Sequence, residues 1–157
     1  MTKSISLCKS NKHLNKYIEV EKLIYIDDNY NINIVLEYFY KLKNYEHVIE
    51  YIFNIIDNSI KIAWQKFNTL QLKVYIDLKN YKIKELDIDF IKIMIHVCQD
   101  KYAENLNVIY IKNANIMIKT IYSIIRPFID SDTRKKIFFV NKNKNKKINE
   151  SNIDDLF

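Results

Sequence analysis

The chain has 157 residues, a formal net charge of +6 and no glycine. This length fits one domain, and 48% hydrophobic with 28% charged residues is enough to bury a core and excludes a wholly disordered chain. Without glycine the chain cannot form a P-loop, a dinucleotide fingerprint or a glycine-flanked nucleophile elbow, while its positive charge suits acidic lipid surfaces or nucleic acid as partners.

The two cysteines, Cys8 and Cys98, match no metal-ligand spacing, so neither a metal nor a cofactor is expected. The sequence lacks a signal peptide and any run of about 20 apolar residues, so we expect a cytoplasmic protein whose membrane contact is peripheral. Its richness in isoleucine, lysine and asparagine is typical of an AT-rich coding sequence, which favours a virus or an intracellular parasite as the source.

The first half of the chain alternates between strand and helix patterns after a polar, basic arm at residues 1–20. Strands are predicted at 23–26 and 32–40. Isoleucines that recur every three or four residues predict a helix at 46–63, and strict alternation of apolar and polar residues predicts a strand at 72–78.

The second half continues the alternation. Turns are expected at Asn80, Asn107 and Asn141, since asparagine tolerates the left-handed conformation best after glycine. Asp87 is the predicted N-cap of the next helix. The remaining predicted elements are a helix at 87–101, a strand at 108–111, a helix at 115–128 that stops at the only proline (Pro127), a strand at 137–140 and a basic low-complexity tail at 142–157.

This order favours an α/β fold with a mostly parallel sheet and right-handed crossover helices. We therefore divide the chain into a basic arm at 1–20, one domain at 21–141 and a basic tail at 142–157.

The segment from Glu104 to Lys136 carries the most specific pattern. Its strand ends at Asn113–Ala114, and its helix ends in the run Pro127–Asp130, with Thr133 and Lys136 following in register. This succession resembles the CRAL-TRIO domain family, which includes the phosphatidylinositol/phosphatidylcholine transfer proteins and the tocopherol and retinaldehyde carriers. The resemblance implies a lipid-binding lobe and a lipid carrier rather than an enzyme.

The chain departs from the family pattern at three positions: Ala103, Asn105 and Asn115 stand where the family has proline, arginine and proline. Most members also place a small helical domain before the lipid-binding lobe. Since only about twenty arm residues precede the first strand, we expect a minimal version without that domain.

The phosphatidylinositol-binding branch of the family contacts the headgroup through positions that correspond to Glu104, Thr133 and Lys136. Lysine offers a charge to a phosphodiester, a threonine hydroxyl can donate to a phosphate oxygen, and a carboxylate can accept from inositol hydroxyls. Leu72 and Val74 stand where the phosphatidylcholine-carrying branch has hydroxyl residues. The expected ligand is therefore phosphatidylinositol or a phosphoinositide.

The resemblance also implies that acyl chains lie in a tunnel between the sheet and the helix at 115–128, which acts as a gate. The predicted gate and acyl-pocket residues are Ile116, Met117, Ile121, Ile124 and Phe128. Six basic residues are expected to attract an anionic membrane surface. They are Arg134, Lys135, Lys142, Lys144, Lys146 and Lys147.

Two other functions remain as alternatives. One keeps the fold as a truncated protein-interaction module without lipid transfer. The other, a small α/β enzyme, is disfavoured because the glycine loops are missing and no nucleophile–base pair is evident. Nucleic-acid binding is disfavoured because no recognition motif is present, and self-association is left open.

Overall fold

The computed structural model describes residues 21–41, 45–81, 87–141 and 146–149. Six strands form one sheet in the order β1-β2-β3-β4-β5-β6. They are Ile24–Ile26, Ile32–Val35, Leu72–Asp77, Leu106–Lys112, Ile137–Asn141 and Lys146–Asn149. Strands β2 to β5 pair in parallel, while β1 and β6 are antiparallel to their neighbours. The predicted α/β fold with a mostly parallel sheet is confirmed.

The helices that connect the parallel strands pack on one face of this sheet. They are α1 (Tyr45–Phe67), α2 (Ile88–Tyr102), α3 (Ile116–Ile125) and the short α4 (Ser131–Lys135). Because the parallel strands follow one another in sequence order, right-handed crossovers place α1, α2 and α3 on the same side. Among the described helices, none is both long and apolar enough to cross a bilayer.

Asparagine replaces glycine at several tight turns, as the composition predicts. Asn80 has the expected left-handed backbone, with φ at 57°. The turn expected at Asn107 is wrong, because Asn107 lies inside β4. Asn141 is the last residue of β5, and the residues that follow it lie outside the described ranges, so the turn expected there stays a prediction. Asn68 and Asn113 take the left-handed conformation instead, after α1 and β4 respectively.

Side-chain caps fix the starts of α2 and α3. The predicted N-cap Asp87 is confirmed, since its carboxylate accepts a hydrogen bond from the Phe90 amide at 2.9 Å. Asn115, which replaces a proline of the family pattern, caps α3 by accepting from the Met117 amide at 3.0 Å. Asn115 therefore still starts a helix at the position where the family pattern has proline.

The predicted strand at 32–40 is too long. Strand β2 ends at Val35, and Leu36–Lys41 form a 3₁₀ helix. Leu36 and Phe39 are three residues apart, so this helix turns both towards the same hydrophobic cluster, where the Phe39 ring lies 5.2 Å from that of Phe90. A strand would have pointed them to opposite faces.

The helix predicted at 115–128 is divided near its end. Regular α3 stops at Ile125, and Arg126–Phe128 continue as a 3₁₀ turn because Pro127 lacks the N–H that an α-helix requires. Helix α4 was not predicted, and neither was strand β6, which lies within the segment assigned to the tail. Ile148 of β6 is 2% exposed and belongs to the main core.

The predicted arm at 1–20, with Lys142 and Lys144 of the basic cluster, lies outside the described residues.

Candidate functional site

A cavity of about 330 Å³ lies between the sheet and the helices α2 and α3. Its floor is formed by side chains of β3, β4 and β5. These are Leu72, Val74, Ile76, Ile109, Ile111 and Ile137. The pairing of Val74 with Ile109, and of Ile109 with Ile137, aligns these side chains across three strands. The volume falls within the range of about 300–1,000 Å³ typical of ligand pockets.

The wall opposite the sheet is formed by one face of each helix. Helix α2 contributes Ile91, Met94, Ile95 and Cys98, and α3 contributes Ile118, Ile121, Tyr122 and Ile125. In both helices these positions recur every three or four residues, which places them on one face. A lining of this composition suits a hydrocarbon chain and offers few hydrogen-bonding partners to a polar ligand.

Cys98 belongs to this apolar wall. Burial raises the pKa of its thiol to about 11, and the nearby Lys101 charge only partly opposes that rise. At neutral pH the sulfur is therefore protonated and contributes a small neutral surface to the cavity. Within the described ranges, no group of three histidine, cysteine or acidic side chains is placed to hold a metal ion.

The loops that lead into β4 and β5 carry polar residues at one end of the cavity. Ala103, Asn105 and Thr133 belong to the lining there, although the lining atoms themselves are almost all apolar. Lys136 reaches the same place, because its ammonium donates a hydrogen bond to the Ala103 carbonyl at 3.1 Å. Glu104 follows directly with an exposed side chain. The structure thus brings the three predicted headgroup residues together around one cavity end, although Glu104 is about thirty positions from the other two in sequence.

Thr133 is arranged differently from the expectation that its hydroxyl donates to a phosphate. The hydroxyl already donates to the Asp130 carboxylate at 2.6 Å, and the Thr133 amide donates to the same carboxylate at 2.8 Å. Burial raises the pKa of Asp130, but the hydrogen bonds from Thr133 and the Asp132 amide outweigh it and hold that pKa below its ordinary value. Because its proton is donated to Asp130, the Thr133 hydroxyl can only accept a hydrogen bond from a ligand.

The five predicted gate residues divide between the two sides of the gate segment. Ile121 is 6% exposed and lines the cavity. Ile116, Met117, Ile124 and Phe128 are exposed, and Ile116 reaches 67%. The three polar residues of helix α3 share one exposed face, and the stripe opposite that face is the one that lines the cavity. Their placement in an acyl pocket does not hold for these four residues in this conformation, because the inward stripe consists of Ile118, Ile121, Tyr122 and Ile125.

One glutamine that the sequence did not single out joins α2 to the end of the gate segment. The Gln99 side chain donates to the Phe128 carbonyl at 3.1 Å and accepts from the Asp130 amide at 2.8 Å. The ammonium of Lys92, also on α2, lies 4.9 Å from the centre of the Phe128 ring. A glutamine inside a helix carries no signal of such a role, so only the structure reveals it.

Comparisons with known proteins agree with this geometry. No curated protein matches the chain. The solved structure described as "Crystal structure of Sfh5" resembles it with a TM-score of 0.64 and 20% sequence identity, over 77% of this chain and 48% of that one. The present chain thus spans about half the length of that protein. Residues 22–157 match the CRAL/TRIO domain family, a match that covers most of the chain. The chain therefore belongs to the CRAL/TRIO domain family.

Proposed function

We propose that this domain binds a phospholipid with an inositol phosphate headgroup and carries it between membranes or presents it at their surface. The observation that supports the proposal most is the shape of the site: an apolar cavity that ends at Ala103 and Thr133, beside Glu104 and Lys136. An amphiphile requires this combination. Family membership supports the general lipid-binding role, while the inositol headgroup is our own assignment.

The apolar part of the site accounts for the affinity. Each methylene group moved from water into an apolar wall contributes about 0.8 kcal/mol. A cavity lined by isoleucine, leucine and valine side chains can therefore compete with a bilayer for a hydrocarbon chain.

The polar end accounts for the headgroup. The Lys136 ammonium donates to the neutral carbonyl of Ala103, and a phosphodiester would replace that bond with a hydrogen bond between two charged groups, which is about twice as strong as one between neutral groups. The Glu104 carboxylate is free of steric cover and can accept from inositol hydroxyls. Leu72 and Val74, which line the cavity, carry no hydroxyl group for a choline headgroup. These features favour an inositol lipid over phosphatidylcholine.

Transfer of labelled lipid between vesicles tests the proposal. Lys136→Ala should lower the transfer rate of phosphatidylinositol by about tenfold or more, since a hydrogen bond to a charged group contributes ~1.5–3 kcal/mol. Lys135→Ala is the matched control, because that lysine is exposed and pairs with Asp132 at 2.8 Å. Equal rates for the two variants, or faster transfer of phosphatidylcholine than of phosphatidylinositol by the unmodified protein, would contradict the headgroup assignment.

A filled core between the sheet and the gate helix would favour the alternative of an interaction module without lipid. The structure instead has a cavity of about 330 Å³ there. This feature favours the carrier over the module.

A further inference from the structure

Three large apolar side chains are exposed together where α1 ends and leads into β3. Trp64 is 53% exposed, Phe67 59% and Leu70 48%. Trp64 and Phe67 are three residues apart and so are neighbours on the helix surface, and Leu70 follows in the connecting loop. Clusters of exposed apolar side chains on otherwise polar surfaces mark contact sites. We call these three residues the Trp64 surface.

Hydrogen bonds hold this surface beside the polar end of the cavity. The Asn105 side chain donates to the Leu70 carbonyl at 3.1 Å, and the Gln71 side chain donates to the Glu104 carbonyl at 2.7 Å. The Leu72 amide also donates to the Asn105 carbonyl at 2.7 Å. The loop that carries Leu70 is therefore fixed to the loop that carries Glu104.

The topology places both loops at the edge of the sheet where the parallel strands begin. Helices α1 and α2 run back from the carboxyl ends of their strands, so Phe67 and Glu104 meet at the amino edge. Helix α3 starts at the opposite edge, so the exposed Ile116 and Met117 lie far from the Trp64 surface. These two apolar surfaces are distinct.

Lysines lie around the Trp64 surface, and the exposed carboxylate of Glu104 is held at the same edge. Lys61 and Lys66 are exposed on the last turns of α1. The carboxylate of Asp57, two turns before Trp64, is paired with the Lys101 ammonium at 3.1 Å. Tryptophan, phenylalanine and leucine flanked by lysines are typical of surfaces that lie in the interfacial layer of a bilayer, where lysines attract acidic headgroups.

We propose that the Trp64 surface docks on an anionic bilayer and turns the polar end of the cavity towards the lipid headgroups. The role of this docking rests on the proposed function, because docking at this edge places Glu104 and Lys136 at the level where a phospholipid headgroup enters or leaves. The docking itself involves residues that neither line the cavity nor belong to the predicted gate.

The chain carries its own reporter, since Trp64 is its only tryptophan. Purified full-length protein is titrated with vesicles of phosphatidylcholine and phosphatidylserine, with and without brominated acyl chains. We expect the Trp64 emission to shift to the blue and to be quenched by the brominated lipid. Gel filtration after the titration separates quenching by vesicles, which is lost with them, from quenching by a lipid that the protein has extracted.

Variants locate the contact. Phe67→Ser with Leu70→Ser keeps the reporter and should weaken vesicle binding by about tenfold or more, because two large apolar side chains no longer leave water. Ile93→Ser is the control, because it removes an apolar side chain that is 53% exposed but belongs neither to the cavity nor to the gate, and it should leave both vesicle binding and quenching unchanged. Ile116→Ser with Met117→Ser tests the gate helix as the competing contact.

Three results would overturn the inference. One is sedimentation with vesicles while the Trp64 emission stays that of a water-exposed indole. Another is loss of vesicle binding in the Ile116/Met117 variant only. The third is a blue shift of the Trp64 emission that depends on protein concentration in the absence of vesicles, which would assign the surface to a second copy of the chain. Docking through Trp64 by a protein that carries no lipid would instead contradict the proposed function and leave this inference standing.

Discussion

Filling the cavity from one side tests whether it is built to hold a ligand. Cys98→Phe adds a phenyl ring from the α2 wall at a position where the thiol already faces the cavity. The matched control is Ile93→Phe on the same helix, since Ile93 is 53% exposed and faces solvent. Both variants add an aromatic ring to α2, but only the first adds it to the cavity.

The size of the effect follows from the cavity volume. Empty apolar space costs about 24 cal/mol per Å³ in an enclosed cavity. A cavity of about 330 Å³ that is partly open to solvent therefore forgoes at most ~8 kcal/mol of packing energy relative to a filled one. That is comparable with the entire stability of a domain, ~5–15 kcal/mol. The lipid-free protein should therefore be markedly less stable than the loaded one.

One phenyl ring recovers part of this energy. An engineered cavity of about 150 Å³ accommodates a benzene molecule, so the added ring fills somewhat less than half of the space and recovers ~3 kcal/mol. Imperfect packing takes back ~1–3 kcal/mol. We expect lipid-free Cys98→Phe to be between unchanged and ~2 kcal/mol more stable, which for this chain length is a rise in Tm of up to roughly 4–8 °C.

Thermal unfolding of the delipidated proteins, followed by circular dichroism, measures the stability, and extraction with mass spectrometry measures the bound lipid. Cys98→Phe should hold much less lipid than the unmodified protein, while Ile93→Phe should match it in both measurements. If Cys98→Phe lowers the stability by more than 3 kcal/mol, as overpacking of a filled core does, or if it binds lipid normally, the reasoning from the cavity is refuted.

Three further predictions follow from contacts around the site. Replacing Gln99 by leucine removes the acceptor of the exposed Asp130 amide, which costs the net ~0.5–1.5 kcal/mol of a typical hydrogen bond. Hydrogen exchange of that amide should therefore accelerate about two- to tenfold, and an unchanged rate would show that Gln99 does not hold the gate segment. In a Cys8→Ser background, the rate of Cys98 alkylation should rise about tenfold per pH unit, because burial raises the pKa of the thiol to about 11. An ordinary thiol has a pKa of about 8.5, and its alkylation rate levels off above that pH. Levelling off near pH 8.5 would therefore place the Cys98 thiol in water. The lowered pKa of Asp130 means that its ionised form stabilises the fold fully above the ordinary carboxyl pKa of about 3.9, and that this stability is lost as the pH falls through the lowered value. The difference in unfolding free energy between the unmodified protein and Asp130→Asn should therefore narrow as the pH falls below about 4, and a constant difference would contradict this account of the Thr133–Asp130 cap.

Local sequence patterns predicted most of the helices and strands. The alternation in Leu72–Asp77 and the helical spacing in Tyr45–Phe67 are written in neighbouring residues, so the elements themselves were predictable. Strand β6 was not, because its residues are three polar side chains around Ile148, and burial of that one side chain depends on pairing with β5. Tertiary contacts of this kind leave no periodic signal.

The site shows the same division. The register from Glu104 to Lys136 predicted which residues the structure brings together at one end of the cavity. It could not show that the Thr133 hydroxyl is engaged by Asp130, which depends on the cap of the unpredicted helix α4. Helical spacing does mark the inward stripe of α3, since that stripe lies opposite Lys119, Thr120 and Ser123, but the family resemblance pointed to other residues of the helix.

The most direct measurement of the central claim is the lipid content of the purified full-length protein, determined by solvent extraction and mass spectrometry. An apolar cavity of about 330 Å³ with Glu104 and Lys136 at its polar end predicts a co-purified inositol phospholipid, in an amount that Lys136→Ala reduces. Protein that carries no lipid, or carries mainly phosphatidylcholine or a sterol, would contradict it.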